Sequence, residues 1–280
     1  MESRRRDRLF CDPYAAAFLA AAPEVFNRAE RGTVACLSGL SRTGVAFWSQ
    51  AVIRTRFFDD YLTDAADRGI RQVVLLAAGL DTRAYRLSWP AGVRLFELDL
   101  ADMLEFKRQV LTSRTATPRC DRRPVPADLR ENWAAPLLAA GLEADRPIAW
   151  LAEGLLIYLS AAEVTHLLAT LDGLSAAGSQ VAFESEAMAD AETLRQQASE
   201  LPGLAEYTGL WKGGLADPAG WLAAHGWRTE LHDRADLTTS YGRSAAGLPG
   251  GGFLTAHRCL PGVEIATSGR QRCCQRTGGK

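Results

Sequence analysis

Acidic residues follow four predicted strands of this 280-residue chain, each at the point where the strand ends. They are Asp81 in "AAGLDT", Asp99 in "FELDL", Asp128 in "ADL" and Glu153 in "AEG". In an open sheet of parallel strands, ligands bind beyond the carboxyl ends of the strands. The four positions therefore predict one ligand site that is rich in carboxylates.

The loop after the first predicted strand contains a single glycine, Gly79, within "QVVLLAAGLDTRAYRL". A dinucleotide site uses GxGxxG, so that backbone N–H groups and a helix N-terminus can approach a pyrophosphate. The corresponding letters here are A-x-G-x-x-T, from Ala77 to Thr82, which argues against a nicotinamide-dependent oxidoreductase. No GxxxxGK(S/T) phosphate loop occurs in the sequence. S-adenosylmethionine (SAM), with a ribose, an ammonium and a sulfonium but no phosphate, would suit the carboxylates better.

The nucleoside part of SAM is assigned to two of the strand ends. Asp99 lies 20 residues after Gly79, the usual place for a carboxylate that binds ribose hydroxyls. Asp128 is expected to accept a hydrogen bond from the adenine amino group, with Leu129 as an apolar wall beside it.

The methionine end of SAM needs groups of both charges. Glu153 is expected to face the ammonium, and Arg54 or Arg56 on the preceding helix is expected to bind the carboxylate with two hydrogen bonds. On the acceptor side, Tyr158 and Trp211 are the candidates for substrate binding.

Strands and helices alternate from about residue 69 onward, which predicts a mostly parallel α/β sheet covered by helices on both faces. The first strand, "IRQVVLLAAG", is apolar without alternation, as expected for a strand buried on both faces. Ser160 is the predicted N-cap of the helix after the fourth strand, and Gly178 is expected to lie past its end. Arg83 and Arg86 are expected to brace the fold through carboxylates rather than to bind ligand.

The chain is interpreted as one domain with attachments. Residues 1–68 look wholly helical, and a second helical stretch interrupts the core and is expected to act as a lid that sets the acceptor. The predicted divisions are an N-terminal helical cap (1–68), a core (69–186 and 221–262), a helical lid insert (187–220), a single domain overall (1–262) and a mobile tail (263–280).

The composition of the chain argues against nucleic acids and membranes as partners. The net charge of −1 gives no overall positive field for nucleic acid or anionic lipid, and no apolar run reaches the ~20 residues that span a bilayer. The six cysteines form no CxxC pair, so the sequence predicts neither a zinc site nor a disulfide framework, and it favours a cytoplasmic location. The expected partner is a small-molecule acceptor, and the sequence does not indicate the oligomeric state.

Two motifs together, "AGLDTRAYRL" and "EGLLIYL", resemble the SAM-dependent methyltransferases of the leucine carboxyl methyltransferase family, in its actinobacterial branch. The resemblance implies a seven-strand class I methyltransferase fold. It also implies SAM contacts from a loop glycine, four strand-end positions and the arginine of "RTRFFD". In this chain we count Arg54, Gly79, Asp81, Asp99, Asp128, Leu129 and Glu153 as cofactor-binding. The family often has glycine in place of Ala77, and a small residue is expected to suffice if that position keeps a negative φ.

The expected activity is therefore O-methylation by direct displacement at the methyl carbon, with S-adenosylhomocysteine as the by-product. A carboxylate acceptor with a pKa around 4 is ionised at pH 7 and needs no general base, so no catalytic residue is assigned. This favours a carboxylate of a small molecule, in secondary metabolism. Two alternatives stay open: methylation of a phenol or another hydroxyl, which would gain from a base, and a non-catalytic SAM-binding protein.

Overall fold

The computed structural model describes residues 2–22, 42–185, 210–244 and 251–259. The predicted tail 263–280 and most of the predicted insert 187–220 lie outside these described residues. The division into cap, core and insert therefore stays a prediction.

Seven strands and eight α-helices occur in the described part of the chain, with short 3-10 turns at Glu2–Arg4 and Leu156–Tyr158. The strands are β1 (Gln72–Leu76), β2 (Arg94–Asp99), β3 (Asp121–Pro126), β4 (Ile148–Ala152), β5 (Gln180–Ser185), β6 (Trp227–Asp233) and β7 (Gly252–Arg258). The helices are α1 (Ala15–Ala21), α2 (Arg42–Asp67), α3 (Arg83–Arg86), α4 (Ala101–Ser113), α5 (Ala134–Ala139), α6 (Ala161–Gly173), α7 (Pro218–Ala224) and α8 (Arg234–Ser240).

The strands form one sheet in the order β3-β2-β1-β4-β5-β7-β6. The first five are parallel, and β7 runs antiparallel to both of its neighbours. The strand order reverses between β1 and β4, where a crevice opens in sheets of this kind. The predicted fold class, a seven-strand mostly parallel α/β sheet, is confirmed.

Both faces of the sheet are covered, which explains the uninterrupted apolar runs of the central strands. One core cluster contains Val74, Leu76 and Phe96, and the other contains Val73 and Leu75 from the alternate positions. All five residues of β1 are buried, including Gln72, whose side chain is bonded to the backbone of Glu143.

Helix α2 packs along the sheet and brings its polar residues to the open end. Ile53, Phe58 and Leu62 are fully buried, at the spacing of one helix face. The hydroxyl of Tyr61 donates to the carbonyl of Trp150 on β4 at 3.1 Å. This packing places Arg54, one residue after Ile53, beside the end of β4.

The N-terminal region is helical only in part. Residues 5–14 are not helical, so the prediction of a wholly helical stretch from 1 to 68 is wrong there. The carboxylate of Asp12 accepts hydrogen bonds from the N–H groups of Tyr14 and Ala15, and this turn starts α1 after Pro13.

The predicted N-cap of α6 is confirmed, because Ser160 and Glu163 form a reciprocal capping box. The helix ends at Gly173, and Gly178 lies five residues farther on, in the turn before β5.

Candidate cofactor site

A cavity of about 300 Å³ opens beside the carboxyl ends of β1 and β4, at the point where the strand order reverses. Its walls come from the loop after β1, from Arg54 and Thr55 of α2, from the end of β4 and from the N-terminal segment. A volume of this size is at the lower end of the range for small-molecule sites, about 300–1,000 Å³. The predicted residues Arg54, Gly79, Asp81 and Glu153 all line it.

The loop after β1 turns its first backbone N–H groups toward the neighbouring strand. The N–H of Ala78 donates to the carbonyl of Leu98, and the N–H of Gly79 donates to Oδ2 of Asp99 at 2.6 Å. Gly79 has a φ of +43°, a value that favours glycine. Because these N–H groups are engaged, the loop is not built as a phosphate cradle.

Ala77 does not have the negative φ under which alanine was expected to replace the glycine of the family. Its φ is +52°, in the left-handed region that an alanine rarely adopts. The methyl group packs against the core cluster on its side of the sheet. The condition under which alanine was expected to suffice at this position is therefore not met, and the loop carries strain that a glycine would not have.

Asp81 and Arg83 form the polar floor of the cavity. Asp81 accepts a hydrogen bond from the backbone N–H of Arg83 and is paired with the guanidinium of the same residue. Burial raises the pKa of Asp81, but the charges of Arg83, Lys107 and Arg86 together with the hydrogen bond from the N–H of Arg83 outweigh it, so the pKa lies below its usual value. Asp81 is therefore a fixed anion in the cavity wall.

Arg83 is almost fully buried and is paired on three sides. It donates to Asp59 of α2 at 2.7 Å and to Glu153 at 2.8 Å, in addition to Asp81. Arg86 pairs with both oxygens of Asp59. The predicted pairing of Arg83 and Arg86 with carboxylates is confirmed, and because both residues also line the cavity, the expectation that they do not bind ligand stays a prediction. We call Asp59, Asp81, Arg83, Arg86 and Glu153 the Arg83 cluster.

Glu153 joins this cluster to Arg54. The Nε of Arg54 donates to Oε1 of Glu153 at 2.8 Å, and its Nη1 lies 3.3 Å from Glu184 at the end of β5. Burial would raise the pKa of Glu153, but Arg83 and Arg54 hold it below the usual value. Burial raises the pKa of Glu184 to about 7, although Arg54 opposes the shift.

Of the two arginines considered for the SAM carboxylate, only Arg54 lines the cavity. Arg56, two residues on, pairs with both oxygens of Asp60 and donates to the carbonyl of Leu9. Arg56 therefore anchors the N-terminal segment.

The residues predicted to bind the nucleoside do not line the cavity. Asp99 ends β2, and its carboxylate accepts from the N–H groups of Gly79 and Leu100. Asp128 follows β3 and is paired with Arg130. Leu129 is buried in the core cluster against which Ala77 packs. The structure thus brings Asp99 to the loop of Gly79 and leaves Asp128 one strand farther out.

The candidate acceptor residues lie beyond β4, outside the cavity walls. Tyr158 is 39% exposed at the end of the 3-10 turn, and Trp211 is half-buried. The N–H of Lys212 donates to the carbonyl of Ile157 at 2.8 Å, so the two candidates lie on adjoining segments. Neither lines the cavity, so their role in acceptor binding stays a prediction.

The N-terminal segment forms one wall of the cavity; the sequence interpretation expected a cap from residues 1–68 but did not single out the residues that form this wall. Phe10 and Asp12 line the cavity. Arg243, far along the chain, donates to the carboxylate of Glu2 at 2.8 Å and to the carbonyl of Asp7 at 2.6 Å, and it also pairs with the Asp7 carboxylate. No local sequence signal links these residues, because the contacts span more than two hundred positions.

Within the described residues, no group of three or more His, Cys, Asp and Glu side chains could hold a metal ion. No helix in that part of the chain is long and apolar enough to cross a membrane.

The family model described as leucine carboxyl methyltransferase matches residues 1–172, more than half of the chain. The chain belongs to the leucine carboxyl methyltransferase family. The family match covers the cavity-lining loop, Arg54 and Glu153, together with the N-terminal wall. The resemblance predicted from "AGLDTRAYRL" and "EGLLIYL" is thereby confirmed.

Two bacterial relatives match almost the whole chain, and each has the name "Putative S-adenosyl-L-methionine-dependent methyltransferase". One, from Parafrankia sp. strain EAN1pec, is 48% identical over 263 residues, which are 92% of this chain and 83% of the relative. The other, from Frankia alni, is 50% identical over 260 residues, with coverage of 92% and 89%. The predicted enzyme class, a SAM-dependent methyltransferase, and the predicted cofactor are confirmed at the level of the family.

Solved structures support the fold. A "putative methyltransferase" from Thermobifida fusca has a TM-score of 0.52 at 16% identity, with coverage of 78% of this chain and 83% of that chain. The CurJ carbon methyltransferase has a TM-score of 0.51 at 14% identity, with coverage of 89% and 68%. At these identities the likeness concerns the sheet and its helices alone.

The residues in the cavity wall, together with Asp99 beside it, suit SAM in charge and in kind. Arg54 and Glu153 offer both charges for a zwitterionic amino-acid end. Each oxygen of Asp99 accepts one backbone hydrogen bond, and a carboxylate has about four acceptor positions, so capacity for ribose hydroxyls remains.

Proposed function

We propose that this protein is an O-methyltransferase that transfers the methyl group of SAM to a carboxylate of a small-molecule acceptor. The observation that carries the proposal is the cavity at the reversal of strand order, whose walls hold Arg54, Asp81 and Glu153 and whose loop engages its N–H groups with β2. The family name, leucine carboxyl methyltransferase, supports the carboxylate acceptor. A role in secondary metabolism is part of the same proposal.

Each residue has a separate task in this proposal. Arg54 binds the carboxylate of the methionine end with N–H groups that remain after its contacts with Glu153 and Glu184. Glu153, kept anionic by two arginines, binds the ammonium. Asp99 binds the ribose hydroxyls, Asp128 accepts from the adenine amino group, and Leu129 packs on the adenine.

SAM supplies a methyl group on a sulfonium, from which a nucleophile can displace it directly. The chain then has to align the acceptor and exclude water. None of the four histidines, all of which lie in the described residues, lines the cavity. An acceptor that is already ionised at pH 7 fits a cavity without a histidine base.

One observation favours a second candidate, methylation of a phenol or another hydroxyl. Glu184 ends β5, accepts from the N–H of Gly154 and has a pKa raised to about 7. A carboxylate with this pKa is suited to take a proton from a hydroxyl near neutral pH. Glu184 is the group that would serve as the base for such an acceptor.

Calorimetry with S-adenosylhomocysteine tests the cofactor site. The wild-type protein should bind it, and Asp99→Ala should weaken binding by about 10- to 100-fold, as expected when hydrogen bonds to a charged group are lost. Asp102→Ala is the matched control, because Asp102 is an exposed carboxylate three residues farther on, in the first turn of α4. Absence of binding by the wild-type protein would contradict the proposal.

Labelled methyl transfer to a panel of acids and phenols identifies the acceptor. A carboxylate product is a methyl ester and should be lost in mild alkali, and Glu184→Gln should leave the rate within a few-fold of wild type. A product that survives alkali, together with a loss of about 100-fold or more in Glu184→Gln, would establish the hydroxyl acceptor instead. Binding without transfer to any acceptor would favour a non-catalytic SAM-binding protein. A cytoplasmic location stays a prediction.

A further inference from the structure

Thr82, a residue of the cavity wall, has a buried hydroxyl that bonds to no partner in the part of the chain that the structure describes. Thr82 lines the cavity, is only 2% exposed, and its Oγ1 bonds to none of the described residues. Buried hydroxyls in folded proteins are almost always bonded, so an orphan of this kind calls for an explanation.

Helix capping does not account for Thr82. It occupies the N-cap position of α3, where a threonine side chain normally accepts from a backbone N–H, yet no such bond is formed. The neighbouring carboxylate of Asp81 accepts from the N–H of Arg83, the first helical residue, whereas an N-cap side chain would accept from the second or third. The carbonyl of Thr82 still accepts from Tyr85 and Arg86, so the backbone starts the helix while the hydroxyl takes no part.

A second threonine in the same cavity wall behaves in the ordinary way. The hydroxyl of Thr55, on α2, donates to the carbonyl of Ala51 at 2.9 Å. The two threonines therefore differ in one respect that matters for binding: the hydroxyl of Thr55 is engaged by its own helix, and that of Thr82 is not.

We propose that Thr82 is a ligand-binding residue whose hydroxyl forms a hydrogen bond with the charged amino-acid end of SAM. This inference rests on the proposed function, since it takes SAM as the occupant of the cavity. Arg54 and Glu153 in the same walls supply the complementary charges for that end, whereas Asp99 and Asp128, assigned to the nucleoside, lie outside the walls. A threonine hydroxyl suits this position, because it can donate to a carboxylate or accept from an ammonium.

The test compares Thr82→Val with Thr55→Val, since valine keeps the shape of threonine and removes only the hydroxyl. Calorimetry with S-adenosylhomocysteine should give a three- to tenfold weaker affinity for Thr82→Val, the usual effect of one lost hydrogen bond. Thr55→Val should remain within twofold of wild type, and Thr82→Ser should retain most of the wild-type affinity.

The melting temperature of the ligand-free protein gives a second readout, in which the direction of the change in Thr82→Val is the test. Thr82→Val removes a buried polar group that has no partner, so the melting temperature should stay the same or rise. A fall of several degrees would mean that the hydroxyl is bonded within the ligand-free fold and would overturn the proposal. An affinity equal to that of Thr55→Val would overturn it as well. Failure of the wild-type protein to bind would instead contradict the proposed function, so the two failures are distinguishable.

Discussion

Two buried clusters of charge lie on the same side of the sheet, the Arg83 cluster and a second one formed by Glu97, Lys107 and Arg122, which we call the Glu97 cluster. In the second, Lys107 and Arg122 both approach Oε2 of Glu97, at 2.8 and 2.7 Å. Glu97 and Lys107 are fully buried. Both clusters pack beside the core cluster that contains Val73 and Leu75.

The clusters differ in what they adjoin. Members of the Arg83 cluster line the cavity, whereas no member of the Glu97 cluster does. In the Glu97 cluster, Oε1 of Glu97 and Nε of Arg122 form no hydrogen bond with any described residue. Burial and charge are common to both, so these properties alone do not mark a ligand site. What distinguishes the Arg83 cluster is its contact with a cavity at the reversal of strand order.

The largest expected effect on stability comes from removing the negative charge of Glu97 from the Glu97 cluster. Glu97→Gln leaves Lys107 and Arg122 buried without their shared anion, and removal of one partner from a buried ion cluster costs about 3–5 kcal/mol. We expect a loss of this size in the free energy of unfolding, measured by urea denaturation. Affinity for S-adenosylhomocysteine should remain near wild type under conditions where the protein is folded.

A matched variant keeps this prediction testable if Glu97→Gln does not fold. Glu97→Leu, Lys107→Met and Arg122→Leu together remove every charge of the cluster, and apolar replacement of a whole buried cluster is often close to neutral. The triple variant should therefore be more stable than Glu97→Gln alone. A triple variant that is less stable would show that the cluster contributes more than the cost of an unpaired charge.

An intermediate effect is expected from Glu184, which adjoins the Arg83 cluster through Arg54. The pKa of Glu184 is about 7 in the fold, above the ordinary value of 4.5. The folded chain therefore binds this proton more tightly than the unfolded chain, and ionisation of Glu184 lowers the free energy of unfolding as the pH rises from 4.5 to about 7. Above pH 7 this contribution is constant.

Glu184→Gln isolates the effect of Glu184 ionisation on the free energy of unfolding, because glutamine does not titrate and keeps an oxygen that can accept from the N–H of Gly154. Urea denaturation at several pH values should show the difference between wild type and Glu184→Gln changing between pH 4.5 and 7, with the variant gaining relative to wild type. A difference that is independent of pH would mean that Glu184 titrates in its ordinary range.

The smallest expected effect on stability concerns the strained loop after β1, beside the Arg83 cluster. Ala77→Gly relieves the left-handed conformation at φ +52°, and glycine adds entropy to the unfolded chain. The two contributions to the free energy of unfolding oppose each other. Because the relief of strain is the larger, we expect a net increase of about 0.5–1 kcal/mol in that free energy. Ala78→Gly is the matched control at the next position, where φ is not positive. This variant should lower the free energy of unfolding by about the same amount. Thermal melting of the two variants checks the prediction, and a loss at both positions would contradict it.

The sheet was the most predictable part of the molecule. The continuous apolar runs of β1 and β4 indicate strands buried on both faces, since helices cover both sides of a parallel sheet. The alternation of strands and helices then predicts the architecture. The irregular segment 5–14 was not predicted, because alanine-rich composition near it suggests a helix while the turn at Asp12 and Pro13 prevents one.

The site residues that lie at strand ends could be predicted from the sequence. Arg54, Gly79, Asp81 and Glu153 follow from strand ends and from the helix before β1. The same rule would have found Glu184, which also lies at a strand end, in "SQVAFESE".

Asp59 was missed, because its pairing with Arg83 is a tertiary contact without a local pattern. For the same reason, residue type and position alone left Arg54 and Arg56 as alternatives, although Arg54 was the one counted as cofactor-binding. Both lie on the same helix, and only the packing of α2 decides which one reaches the cavity.

The anchoring of the N-terminal segment by Arg243 has a consequence for biosynthesis. The ribosome makes Glu2 and Asp7 more than two hundred residues before it makes Arg243, which holds them in place. The wall that contributes Phe10 and Asp12 therefore gains this second anchor only late in translation, when the sheet strands up to β6 have already been made, whereas Arg56, which bonds to Leu9, is made much earlier. A nascent chain that ends before residue 243 has every strand-end carboxylate of the site but lacks this anchor for its first wall.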